Sequence, residues 1–121
     1  MTRKTKGQIE AQISQVVVKF EREYMGRGPS DVKTDLVRDM AIVRLKGILT
    51  PAEQQLVKAE GAELIKQVRT KLLENGRQRL EESIQEITGL PVISMHSDLS
   101  TRTGERIIVF VFGENIEEKF A

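Results

Sequence analysis

Apolar residues recur at intervals of three and four through residues 7–24, at Ile9, Ile13, Val16, Val17, Phe20 and Tyr24, while Glu10, Gln12, Lys19, Glu21 and Arg22 fall between them. That period predicts an amphipathic helix whose charged residues face water. Met25-Gly26-Arg27-Gly28-Pro29 ends it, because two glycines and a proline cannot continue a helix. In residues 31–49 the period drops to two: Val32, Thr34 and Leu36 alternate with charged neighbours, and Met40-Ala41-Ile42-Val43-Arg44-Leu45 is rich in strand formers. A β-hairpin is expected, with Gly47 marking a bulge or the end of its second strand.

Thr50-Pro51-Ala52-Glu53 is the strongest local signal. It places threonine at an N-cap, proline at the first helical position and glutamate where a capping box needs it. The apolar positions that follow run through Leu56, Leu64, Ile65, Val68, Leu72, Leu80, Ile84 and Ile87 to a stop at Gly89-Leu90-Pro91. A continuous helix over 50–88 would reach roughly 58 Å, far beyond what a sheet of ordinary strands covers. Either it breaks near Gly61, or its stripe, with Leu72 and Leu80, is an interface for a second copy of the chain. Past Pro91, Val92, Ile93 and Met95 read as a third strand. The run from Ile107 to Phe112 reads as a fourth, apolar on both faces and therefore central. The segment 100–105 is their hairpin connection, with Gly104 where positive φ is needed, and 115–120 is expected to add a last helical turn.

The order α-β-β-α-β-β predicts an α+β two-layer sandwich, a four-stranded, mainly antiparallel sheet carrying two long helices. At 121 residues, one domain over 1–121 is expected, with 1–6 flexible.

Composition narrows function mostly by exclusion. Nineteen basic against eighteen acidic residues leave a net charge of +1, so no general attraction to nucleic acid arises. Phe110 and Phe112 suit a core better than a stacking platform. The absence of cysteine excludes disulfides and thiolate chemistry and fits a reducing compartment. The basic start runs into an amphipathic stretch rather than an apolar one, so neither a secretory signal nor a membrane span is expected, and the protein is expected in the cytoplasm.

Candidate chemistry lies at three places. Ser94, His96, Asp98 and Ser100 share one strand face, which brings hydroxyl, imidazole and carboxylate together. Without a nucleophile elbow this is a solvated sheet face first and an uncharacterised hydrolase only as a minor alternative. A single histidine with one carboxylate neighbour is too little for a metal. His96 and Asp98 are better kept as a proton-sensitive or interface pair, since imidazole takes up a proton near neutral pH. Arg27 and Gly28 after the first helix, and Ser100, Thr101 and Arg102 at the hairpin tip, could hold an anion through guanidinium and backbone N–H groups, although both are also ordinary turn sequences. The long second helix carries Lys66, Arg69, Lys71, Arg77 and Arg79 balanced by Glu74, Glu81, Glu82 and Glu86, which reads as a solvated face. No cofactor is called for.

Four stretches, QIEAQISQVVVKFEREYMGRGP, VRLKGILTPAEQQL, HSDLSTRTGERIIVFVF and NIEEKF, together resemble the MpsC-like family of small bacterial proteins. The resemblance covers residues 7–120. It implies a non-enzymatic accessory or regulatory module, linked by the family name to a sodium-translocating, membrane-potential-generating system and to ion or bicarbonate transport. It further implies a protein that is cytoplasmic or peripheral to the inner membrane face, with a membrane transport complex or another protein as partner. No catalytic residues carry over. Arg27, Gly28 and Pro29, and His96, Asp98, Ser100, Thr101, Gly104 and Glu105, match the two segments most worth examining. The expectation is a homodimeric binding module; the alternative is a small-ligand or anion sensor using Arg27 and Arg102.

Overall fold

A computed structural model describes residues 4–121. Eight elements follow in order: α1 (Lys6–Met25), β1 (Asp31–Val37), β2 (Met40–Lys46), α2 (Pro51–Glu60), α3 (Ala62–Thr88), β3 (Val92–Ser100), β4 (Glu105–Phe112) and a short α4 (Ile116–Lys119). The four strands form one antiparallel sheet in the order β1-β2-β4-β3, so the α+β sandwich stands. Thr5 closes a capping box with Gln8 at the start of α1, so the helix begins inside the segment expected to be loose. Residues 1–3 lie outside the described residues.

One core joins α1 and α3 to a single face of the sheet. Ile9, Ile13, Val17 and Phe20 from α1 meet Ile65, Leu73, Leu80 and Ile84 from α3 over Val43, Ile108 and Phe110. Strand β4 is central as its composition indicated, but the helices cover only its Ile108, Phe110 and Phe112 side. The reverse side stays half-buried or exposed, with Ile107 at 37%.

The segment after Thr50 is two helices. The Thr50/Glu53 capping box and Pro51 start α2 as the sequence indicates, and Gly61, at φ 86°, ends it in a conformation that favours glycine. The break leaves α3 at 27 residues, about 40 Å. Leu80 is 1% exposed inside the protein's own core, so the expectation that it faces a second copy is corrected; Leu72 is half-buried. Gly76 admits α1 closely: a Cβ there would lie 2.7 Å from Phe20 Cζ and 3.1 Å from Tyr24 Cε1, two rings stacked at 4.5 Å.

Candidate functional site

Antiparallel pairing brings the start of β1, the end of β2, the start of β4 and the end of β3 to one end of the sheet. Three connections gather there: the α1–β1 loop with Arg27 and Gly28, the β2–α2 loop, and the β3–β4 hairpin with Thr101 and Arg102. The hairpin and the β2–α2 loop are joined by the Ile48 amide donating to the Gly104 carbonyl at 3.2 Å. Two surface clefts flank the hairpin tip and share Thr101 and Arg102. One faces the start of α3 at Lys66, and the other faces α2 at Val57 and Lys58. Arg27 lines neither of them.

The remaining residues singled out at this end behave as turn formers. Gly28 packs under Arg22, where a Cβ would stand 3.1 Å from its Nε. Ser100 Oγ accepts from the Thr103 amide at 3.3 Å, and Gly104 takes φ 72°, both as a tight hairpin needs. On the open sheet face Ser94, His96, Asp98 and Ser100 do share one side. His96 Nε2 lies 3.1 Å from Ser94 Oγ, whereas Asp98 accepts from the Leu99 amide at 2.8 Å and pairs with Lys66 at 3.6 Å. The carboxylate therefore does not orient the imidazole, which is the link a hydrolytic triad requires. Among the described residues no group of three or more histidine, aspartate or glutamate side chains is gathered for a metal ion.

The most heavily built polar cluster escaped the sequence reading. Glu21, Arg69 and Arg106, at 0%, 2% and 1% exposure, meet beneath the sheet end. Arg106 Nη1 donates to Glu21 Oε1 at 3.1 Å, and Arg69 Nη1 lies 3.6 Å from Glu21 Oε2. Arg69 also grips Glu53 through Nε at 2.8 Å and Nη2 at 2.6 Å, and donates to the Ile48 carbonyl at 2.7 Å. Arg69 and Glu21 are thus not solvated, as the charge balance of their helices had suggested. The signal was available. Glu21 follows Ile9, Ile13 and Val17 at spacing four, Arg69 sits between Ile65 and Leu73, and Arg106 alternates with Ile108 and Phe110. A charge on an apolar stripe must find a buried partner.

Two carboxylates and two guanidiniums balance. Burial pushes the Glu21 carboxyl above its ordinary value, a rise restrained by Arg106 and Arg69. Burial would raise Glu53 as well, but hydrogen bonds from Arg69 and the Thr50 amide outweigh it and hold that carboxyl low. Burial also lowers Arg106, against the pull of Glu21. The cluster ties α1, α2, α3 and β4 together. It is a structural clamp directly behind the hairpin end, and it fixes α2, which buries no residue of its own.

Comparison with known proteins places this chain. It is 50% identical over 117 residues to "Uncharacterized protein YbcI" of Bacillus subtilis (strain 168), covering 96% of this chain and 94% of that protein. It is 28% identical over 110 residues to "Uncharacterized protein YrhF" of the same organism, covering 89% and 90%. No solved structure matches it. The family described as "Na+-translocating membrane potential-generating system (MpsC)" matches residues 5–114, which include α1, the clamp, the hairpin end and the whole sheet, and the chain belongs to that family.

Proposed function

We propose that this protein is a non-enzymatic accessory or regulatory module of a sodium-translocating, membrane-potential-generating system, acting as a homodimer that docks on the membrane complex. The supporting observation is the family match across 5–114, combined with an uncovered sheet face suited to binding rather than chemistry. No helix among the described residues is long and apolar enough to cross a membrane, so attachment to such a system would run through a partner. The reading places the protein in the cytoplasm, at the inner membrane face, and treats 1–121 as one domain. Affinity purification from solubilised native membranes tests it. Integral subunits of an ion-translocating complex should be recovered with the tagged chain in fixed proportion, and recovery from the soluble fraction alone would contradict the docking.

The runner-up is anion sensing, favoured by one observation: Arg102 lines both clefts beside Lys58 and Lys66 and makes no ion pair among the described residues. An anion held there should raise the melting temperature, because selective binding to the folded state stabilises it. Arg102→Ala should abolish that rise. Arg27→Ala should not, since Arg27 lies outside the clefts.

A further inference from the structure

Strand β4 is apolar on both sides, yet the described residues cover only one. A strand of that composition is expected to be buried on both faces. On the uncovered face the register sets side chains in rows across β1, β2, β4 and β3. One row is Val37, Met40, Val111 and Ser94; the next is Asp35, Ile42, Val109 and His96; the third is Lys33, Arg44, Ile107 and Asp98. The two central columns are thus almost wholly apolar, while the edge columns, apart from Val37, are polar and charged.

We propose that this face is the interface of a twofold homodimer, with the axis running along the strands between β2 and β4. The proposal rests on the homodimer of the reading above and on no other part of it. Such an axis lays β2 of one copy over β4 of the other, and β1 over β3, with every row facing itself. Met40 then meets Val111 and Ile42 meets Val109, which closes the apolar centre. At the edges the polar groups match: Asp35 stands opposite the His96 imidazole, and Lys33 opposite Asp98 with opposite charge. One step beyond the Leu45–Arg106 pair, Lys46 stands opposite Glu105. Arg44 keeps its 2.8 Å bond to Glu105 of its own chain and turns its aliphatic stem to Ile107 of the second copy.

Complementarity also selects the orientation. An axis across the strands midway between the Ile42 and Arg44 rows would set both Ile42 over Arg44 and Val111 over Glu105, whereas the strand-parallel axis sets only Arg44, already paired with Glu105, over an apolar group. The match is isologous, as a twofold contact requires. Sheets packed this way stand about 10 Å apart with strands within about 30° of each other. The exposed Asp98–Lys66 pair it would replace at 3.6 Å is of the weak surface kind. Four strands of at least seven residues give a footprint of roughly 19 by 24 Å, small for a stable interface, so association should depend on concentration.

Sedimentation equilibrium from micromolar to submillimolar concentration tests the arrangement. A monomer–dimer equilibrium is expected. Lys33→Asp and Asp98→Lys should each raise Kd by about tenfold, because each places like charges face to face, and the double variant should restore it. Val109→Arg should leave a monomer; circular dichroism checks its fold, and if it does not fold the charge-exchanged pair decides alone. A monomer at every concentration overturns the proposal. So does a dimer indifferent to both exchanges, which would move the contact to the exposed Leu64 and Val68 of α3. A monomer that still co-purifies with membrane subunits overturns the interface and leaves the docking reading standing.

Discussion

Glu53 shows how much one side chain can carry. It caps α2 through the Thr50 amide at 2.9 Å and holds Arg69 through both carboxylate oxygens. Glutamine keeps the capping geometry but not the charge, so Glu53→Gln isolates the ion pair. Its loss leaves the Arg69 guanidinium short of a partner, and chemical denaturation should report about 1–3 kcal/mol of destabilisation at neutral pH. Because the folded-state carboxyl is held below its ordinary value, the stability it contributes is present above that value and lost as pH falls through the lowered one. Glu21 works in the opposite sense, since its raised value makes stability fall as pH rises across the window just above the ordinary range. Wild type should therefore lose stability on acidification more steeply than Glu53→Gln, and equal slopes would deny Glu53 this role. The capping function of Glu53 was legible in Thr50-Pro51-Ala52-Glu53. Its partner Arg69 was not, because helical charge balance suggests solvent while only the spacing from Ile65 to Leu73 points inward.

At the scale of elements, helix starts and stops were legible wherever a backbone group needed a particular residue: proline after an N-cap, glycine at a left-handed stop, glycine at a hairpin tip. The break between α2 and α3 was readable as an option, because a single Gly61 in a helical pattern is tolerated or fatal according to what surrounds it. Gly76 shows the reverse case. It stays helical and serves the contact between α1 and α3, which no pattern along one helix can reveal. Alanine would add roughly 1 kcal/mol of helix propensity, yet its Cβ must displace the stacked Phe20 and Tyr24 rings. Overpacking of this kind typically costs about 1–3 kcal/mol. Thermal unfolding of Gly76→Ala should show a net loss of stability with the helix content retained, and a gain would mean that the rings move aside freely.

For the whole molecule, the two-layer order and the central place of β4 followed from periodicity, and so did the doubly apolar character of that strand. What periodicity could not say is which layer covers its second face, since the chain's own helices are spent on the first. The helical stripe looked like the interface while α2 and α3 were read as one rod; once the helix breaks and Leu80 enters the core, the open sheet stands beside the exposed Leu56, Leu64 and Val68 as an apolar surface without a cover. The chain contains no cysteine, so a thiol can be placed at will and any cross-link assigned without ambiguity. Mixing Ile42→Cys with Val109→Cys and treating the mixture with a short bis-maleimide addresses the interface directly. Covalent pairs joining the two variants, with none from Leu64→Cys mixed with itself, are the expected result; pairs from Leu64→Cys alone, with no link between Ile42→Cys and Val109→Cys, would contradict it.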